Sequence, residues 1–118
     1  MNSLAEVPWT ITPEKVEAVV RRLVTAAKPR KIILFGSYVR GTVHRDSDLD
    51  VLVVTDDDVQ SPRAESARLR RVVRDISMSM DILVIPQSKL EQIQGRRDWI
   101  YAEACETGNV VYERSPQS

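Results

Sequence analysis

Three aspartates occupy positions where a strand seldom carries charge. Asp48 and Asp50 are two residues apart at the start of the apolar run Leu49–Thr55, and Asp81 lies near the start of a second run at residues 80–85. Because side chains alternate between the two faces of a strand, Asp48 and Asp50 share one face. If the two strands are neighbours, all three carboxylates converge at one edge of the sheet. Such a cluster repels itself, and its hard oxygen ligands predict Mg²⁺ or Mn²⁺ with positions left open for phosphate and water.

A turn suited to phosphate lies upstream of these acids. Gly36-Ser37 follows the apolar run Lys31–Phe35. The glycine permits close backbone approach, and Ser37 offers N–H and hydroxyl donors to an anion. A phosphate-binding turn beside a carboxylate cluster is typical of nucleotidyl transfer, in which two metal ions about 3.5–4 Å apart activate the attacking oxygen and stabilise the leaving pyrophosphate. Residues 36–42 also mimic a P-loop, but they lack its Lys, which excludes that interpretation.

Residues 34–50, which read LFGSYVRGTVHRDSDLD, resemble the signature of the DNA polymerase beta-type nucleotidyltransferase superfamily. More narrowly, they are similar to its minimal nucleotidyltransferases. The matching elements are Gly36-Ser37, Arg40-Gly41, Ser47-Asp48-Leu49-Asp50 and, for the third acid, Asp81-Ile82-Leu83. The resemblance covers essentially the whole chain, including a Glu-x-x-x-x-Gly-x-x-x-Tyr stretch at residues 103–112.

The resemblance implies a role for each matching residue. Asp48 and Asp50 would hold the two metal ions, and Asp81 would ligate the metal that activates the acceptor hydroxyl and serve as its base. Nucleotide binding falls to the turn and the following loop, namely Gly36, Ser37, Arg40 and Ser47. The role of Arg40 stays open between pairing with phosphate and pairing with an acid that holds the loop.

Helix signals alternate with these short apolar runs. Thr12 and Pro13 predict the start of a helix that ends before Pro29. Further helices are expected at residues 62–77 and 88–107, the second broken at Gly95 and ended at Gly108. Strands are expected at Lys31–Phe35, Leu49–Thr55, residues 80–85 and Asn109–Glu113.

The alternation predicts an α/β (α+β) domain, a small mixed sheet with helices packed on it. The resemblance implies the polymerase beta-like nucleotidyltransferase fold. We expect residues 1–118 to form a single domain, with residues 1–10 and 115–118 as flexible ends.

Composition narrows the function classes. The chain has 118 residues with 17 Lys plus Arg and 17 Asp plus Glu, so its formal net charge is zero. This balance argues against binding to bulk DNA or RNA, which requires an excess of basic residues. No apolar run approaches the ~20 residues that span a bilayer. One cysteine and no visible secretory signal predict a cytoplasmic protein.

The function implied by the resemblance is metal-dependent transfer of AMP from ATP to a hydroxyl. Because 118 residues leave no room for an acceptor-binding domain, we expect the acceptor on another chain. In the family, minimal nucleotidyltransferases act as antitoxins of helical HEPN RNase toxins, and the implied acceptor is a tyrosine of the toxin. Two alternatives stay open. The first is a small-molecule, antibiotic-type nucleotidyltransferase subunit, for which a homo-oligomer is one possible form. The second is an antitoxin that neutralises by binding alone.

The other conspicuous residues have ordinary structural interpretations. Asp56, Asp57 and Asp58 are expected in a solvated loop rather than at a metal. The Arg-rich segment at residues 68–74 is expected to be a solvated face paired with Glu65 and Asp75, rather than a site for triphosphate or an acidic partner. His44 is expected to face solvent. The expected positions of Trp99, Tyr101 and Cys105 are in the core or at an interface.

Overall fold

The computed structural model describes residues 10–40, 48–93, 104 and 107–114, without the side chains of Ser37 and Arg40. The elements along the chain are α1 (Pro13–Ala27), β1 (Lys31–Phe35), α2 (Ser37–Arg40), β2 (Leu49–Thr55), α3 (Pro62–Val72), β3 (Met80–Pro86), α4 (Gln87–Ile93) and β4 (Asn109–Glu113). Ala104 and Thr107 are also helical. Within these ranges no helix is long and apolar enough to cross a bilayer.

Helix α1 has the caps that its sequence predicts. The Thr12 side chain accepts a hydrogen bond from the Lys15 N–H at 3.2 Å, and Pro13 takes the first helical position, where it has no bond to lose. Lys28 ends the helix in the left-handed region with φ 47°, and its N–H donates to the Val24 carbonyl at 2.9 Å. These caps determine where α1 begins and ends.

The described strands form one mixed sheet in the order β3-β2-β1-β4. Strand β1 runs antiparallel to both β2 and β4, whereas β2 and β3 are parallel. A parallel pair needs a crossover connection, which α3 provides. Strand β2 therefore lies between two strands and under helices on both faces. This position explains its continuous apolar sequence, because residues 51–54 are completely buried.

Two apolar clusters cover the two faces of the sheet. On one face, α1 and α3 pack against alternate residues of β2, and the members include Leu23, Leu69 and Val51. On the other face, α4 and Ala104 pack against the intervening residues, which include Leu52. The helices thus hold β2 and β3 in a fixed register, and that register positions the aspartates.

Most element predictions are confirmed. Strands β1, β2 and β4 have the predicted bounds, and β3 extends one residue further, to Pro86. Helix α3 ends at Val72 rather than at Ser77, because the chain there changes to turns with tighter i to i−3 bonds, such as Arg74 N–H to the Arg71 carbonyl at 3.3 Å.

One further difference concerns a short element. The one-turn helix α2 occupies Ser37–Arg40, where only an irregular polar stretch was expected. Of the long helix expected at residues 88–107, the structure describes α4, Ala104 and Thr107, and Gly95 lies outside the described residues. The helix stop at Gly108 is confirmed. Residues 1–9 and 115–118 lie outside the described ranges.

Candidate active site

The first residues of β2 and β3 lie side by side. In the parallel register Asp50 stands opposite Asp81, and its antiparallel partner on the other side is Phe35. Residues paired in this way point to the same face of a sheet, so these two carboxylates share a face. Asp48 directly precedes β2 and is exposed. The condition set from the sequence, that the two Asp-bearing strands be neighbours, is therefore met.

Gly36 brings the end of β1 against the carboxylate of Asp50. Its φ is +85°, a conformation that side chains with a Cβ rarely adopt. A Cβ placed on Gly36 would lie 2.1 Å from Oδ2 of Asp50, far inside contact distance. Glycine is required here for both reasons. The backbone of the predicted phosphate turn consequently touches a predicted metal ligand.

Asp48 and Asp81 each accept a hydrogen bond from a side chain of the same region, Ser79 before β3 and Arg70 of α3. Nη2 of Arg70 donates to Oδ1 of Asp81 at 3.1 Å, and the two side chains are 54% and 48% exposed. The Ser79 hydroxyl donates to Oδ1 of Asp48. The Ser79 carbonyl accepts from the Leu49 N–H at 2.9 Å, which joins the start of β2 to the residue before β3. These contacts hold the acids near the end of the sheet while leaving them accessible.

The donor chemistry of this edge fits divalent metal ions. Carboxylate oxygens on paired strands, half-exposed to water, are the ligand type that Mg²⁺ and Mn²⁺ prefer. In the described part of the chain, no three Asp, Glu, His or Cys side chains come close enough to form a metal group. Asp48 is turned to Ser79 and Asp81 to Arg70, so each would exchange that partner for a metal ion.

Of the remaining nucleotide-binding candidates, the structure describes only the backbone of Ser37 and Arg40. Ser37 and Arg40 lie in α2, directly after the Gly36 turn, and their side chains are outside the described set. Ser47 lies outside the described residues, as do His44, Trp99, Tyr101 and Cys105. The roles predicted for all of these remain predictions.

Two of the acids after β2, which were expected in a solvated loop, have partners within the chain. Asp56 accepts hydrogen bonds from Arg114 at 2.8 and 3.2 Å and lies 3.5 Å from Arg30. The hydrogen bonds from Arg114 lower the pKa of Asp56, with a smaller charge effect from both arginines. Asp57 accepts from the backbone N–H of Ser88 at 3.0 Å, in the first turn of α4.

The arginines of α3 have the predicted character only in part. The expected pair of Arg68 with Glu65 is present at 2.7 Å and lowers the pKa of Glu65. Asp75 pairs instead with Arg22 of α1. Arg70 reaches Asp81, which sequence reasoning missed. No sequence signal distinguishes Arg70 from its neighbours, because the contact arises only when α3 packs along β3.

One known protein family matches most of this chain. The sequence profile of a family described as nucleotidyltransferase domain matches residues 14–105. A search of curated proteins gave no significant match.

Solved structures with the same fold share little sequence with this chain. A Sulfolobus solfataricus protein, provisionally described as a nucleotidyltransferase, is 16% identical, with a TM-score of 0.59 over 86% of this chain and 79% of that one. A chain of a toxin–antitoxin crystal with AMP-PNP is 22% identical, with a TM-score of 0.51 over 84% of this chain and 74% of that one. A chain from a mutant of the toxin–antitoxin MntA-HpeT is 19% identical, with a TM-score of 0.54 over 90% and 76%. At these identities the likeness shows a common fold.

Proposed function

The chain belongs to the nucleotidyltransferase domain family, and from this premise we propose that it transfers AMP from ATP to a hydroxyl of a partner protein. One observation carries the proposal. Asp50 and Asp81 are paired on adjacent strands, and Gly36 brings the turn after β1 against the Asp50 carboxylate. A phosphate-binding turn beside carboxylates that can hold two metal ions is what nucleotidyl transfer requires.

The proposed reaction transfers AMP to the acceptor oxygen. The acceptor oxygen attacks the α-phosphorus of ATP, a new O–P bond forms, and the bond to the β-phosphate breaks. Pyrophosphate leaves with the electron pair, and the carboxylate of Asp81 accepts the hydroxyl proton. We assign the outer phosphates to the Gly36 backbone and Ser37, and we keep Arg40 and Ser47 as further nucleotide-binding candidates.

Metal ions complete this arrangement. Asp48, Asp50 and Asp81 would hold two Mg²⁺ ions, or Mn²⁺ in their place. When bound, the ions would lower the pKa of the acceptor hydroxyl and neutralise charge on the phosphates. The protein's own contribution is to place Asp50 and Asp81 on two strands whose register the core determines, with Asp48 directly before the first of them.

For the acceptor, we propose a tyrosine of a helical HEPN-type RNase toxin, with this chain as the antitoxin. Two of the fold neighbours come from toxin–antitoxin crystals, and one of those crystals contains the ATP analogue AMP-PNP. Their identity to this chain is low, so they support the proposal through the fold. The zero net charge also favours a protein acceptor over bulk nucleic acid. We place the reaction in the cytoplasm, where its ATP substrate is available.

The test is a labelling reaction with the full chain, Mg²⁺, each labelled nucleoside triphosphate and the protein encoded beside it. We expect label from ATP on a tyrosine of that protein. Asp48→Asn and Asp81→Asn should remove the label, because each deletes a proposed metal ligand. Asp58→Asn is the matched control, since Asp58 is an exposed acid in the turn after β2.

Other outcomes would change the proposal. If the neighbour is inhibited without being labelled, the chain neutralises by binding alone. If only small hydroxyl compounds such as aminoglycosides are labelled, it is a small-molecule nucleotidyltransferase. If Asp81→Asn transfers at the wild-type rate, the role given to Asp81 is wrong.

A further inference from the structure

A groove of about 420 Å³ runs along the outer edge of β3, between that strand and α3. The helix lines it with Arg63, Ser66 and Arg70, and the strand lines it with residues 82–84. The Ser66 hydroxyl donates to the carbonyl of Ile82 at 2.6 Å. Because the helix already uses this backbone acceptor, the edge is less available to an incoming strand at that residue. The groove is therefore shaped to receive side chains of a partner.

One end of the groove opens on the proposed acceptor-activating carboxylate. Arg70 lines the groove and also donates to Oδ1 of Asp81 at 3.1 Å. Both side chains are about half exposed, so a ligand in the groove can reach Asp81 without unfolding anything around it. The groove and the carboxylate edge are thus continuous through Arg70.

The order of the strands indicates on which side of the reacting phosphorus this groove lies. Gly36 follows β1, Asp50 lies on β2 and Asp81 on β3, and the groove lies outside β3. In phosphoryl transfer the attacking and leaving oxygens lie roughly in line, on opposite sides of phosphorus. If the outer phosphates occupy the Gly36 turn, pyrophosphate leaves toward β1. The acceptor hydroxyl then arrives from the side of β3, where the groove lies.

The charge of the groove indicates the chemistry of its ligand. Among the described residues that line it, two carry guanidinium groups and none carries a carboxylate. Arg63 and Arg70 are seven residues apart on α3, which corresponds to about 10 Å along a helix. An extended peptide covers about 10 Å in three residues.

We propose that this groove binds the segment of the acceptor protein that carries the target tyrosine, and that Arg63 pairs with an acidic residue three positions from that tyrosine. The tyrosine lies at the Arg70 end, beside Asp81. This inference rests on the proposed function and adds the acceptor's binding site and its sequence preference. It also gives Arg63 a specificity role that is separate from the metal-binding acids.

The test uses two synthetic peptides and the ¹⁵N-labelled full chain. One peptide is Glu-Ala-Ala-Tyr-Ala-Ala-Glu, and the other has Lys in place of both Glu residues. We expect the acidic peptide to shift the amide resonances of residues 63–70 and 82–84 at millimolar concentration. The Lys peptide should bind about fivefold more weakly or worse, because exposed ion pairs contribute up to about 1 kcal/mol and like charges repel.

Charge-reversal variants assign the effect to Arg63. Arg63→Glu should weaken binding of the acidic peptide about fivefold or more and strengthen binding of the Lys peptide. Arg71→Glu is the matched control, because Arg71 is exposed on the same helix and does not line the groove. It should change either affinity less than about twofold. Equal effects of the two variants would show that only the general charge of the helix matters, and would overturn the proposal.

Other occupants would give other shifts. If AMP-PNP with Mg²⁺ shifts the Arg63 region directly, or if protein concentration alone does so, the groove holds nucleotide or a second copy and the proposal is wrong. The absence of shifts with the acidic peptide would also overturn it. Peptide shifts without transfer to any acceptor would overturn the proposed function and, with it, the assignment of the groove to an acceptor tyrosine, and would leave only a site for acidic peptides. Transfer to the partner that Arg63→Glu does not slow would overturn the groove assignment alone.

Discussion

Strand β2 has aspartates at both ends, and the chain surrounds them differently. After its last residue, Asp56 receives three guanidinium contacts from two arginines of the same chain, at 2.8, 3.2 and 3.5 Å. At its start, Asp50 lies opposite another carboxylate, that of Asp81, and against the backbone of a glycine with φ +85°. Both ends continue the same buried strand, so the core is common to them.

The difference separates a structural acid from a proposed catalytic one. At the Asp56 end, arginines neutralise the carboxylate and link the end of β4 to the end of β2. The charge of this cluster is therefore satisfied within the chain. At the Asp50 end, Asp50 and Asp81 face each other on adjacent strands, and Asp50 also lies against a backbone position that tolerates no side chain. Local backbone constraint together with concentrated like charge is typical of functional sites, where stability is not the selected property.

The largest expected effect tests this division directly. Asp50→Asn should lower nucleotidyl transfer at least about 100-fold, because a metal ligand supplies several kcal/mol of transition-state stabilisation. The melting temperature should stay within about 3 °C of wild type, as for most substitutions of partly exposed residues. Initial rates of label transfer and a thermal melt measure the two properties.

In the same assays the effects of Asp56→Asn should be the reverse: a lowered melting temperature and an unchanged rate of transfer. Its transfer rate should equal that of wild type, because the residue lies at the far end of β2. If Asp56→Asn reduced transfer as strongly as Asp50→Asn, the two ends of β2 would not have separate roles.

The second expected effect concerns the glycine that distinguishes the Asp50 end. Gly36→Ala should reduce transfer about tenfold or more, since displacing a reacting group by 1 Å can cost about 100-fold. The added Cβ must push away Oδ2 of Asp50, and alanine at positive φ adds strain of about 1 kcal/mol.

A double mutant separates these two causes. In an Asp50→Ala background the clash is gone and the strain remains, so Gly36→Ala should destabilise the protein less than it does in wild type. Equal destabilisation in both backgrounds, measured by denaturant unfolding, would mean that the contact with Asp50 has no cost.

Much of the Asp50 end was predictable from the sequence. The apolar runs gave strands β1 and β2 with the observed bounds, because buried strands read as continuous Val, Ile and Leu. The sequence predicted that Asp48, Asp50 and Asp81 share an edge if their strands are neighbours, and the register places Asp50 opposite Asp81. These features depend on local patterns that a single sequence contains.

The contacts made by arginines were not predictable. Arg70 reaches Asp81 across the packed edge of β3, and Arg114 reaches Asp56 from a residue 58 positions away. Nothing local distinguishes these arginines from solvated ones, so Asp56 was expected in a solvated loop. The one-turn helix α2 was missed because four residues carry too little periodicity to indicate a helix.

The third prediction concerns stability at the Asp56 end. Arg114→Ala should lower the melting temperature by about 1–3 °C, the range expected for an exposed ion pair in a domain of this size. It should leave nucleotidyl transfer unchanged. Arg71→Ala is the matched control, since Arg71 is an exposed arginine outside this cluster. An equal loss in both variants would mean that the pairing with Asp56 has no stabilising role.

The smallest expected effect is a pH dependence confined to the Asp56 end. Hydrogen bonds from Arg114 lower the pKa of Asp56 in the folded protein below its ordinary value of 3.8. A carboxyl group with a lowered folded pKa stabilises the protein above its unfolded pKa, and this contribution is lost as the pH falls through the folded pKa. The melting temperature of wild type should therefore exceed that of Asp56→Asn by a constant amount between about pH 5 and 7, and the difference should shrink below about pH 4. In an Arg114→Ala background the same comparison should show a smaller difference at every pH, because the principal cause of the shift is absent. A difference that grew on acidification would mean that Asp56 is protonated more readily in the folded state, and the charge of the cluster at this end of β2 would not be satisfied within the chain.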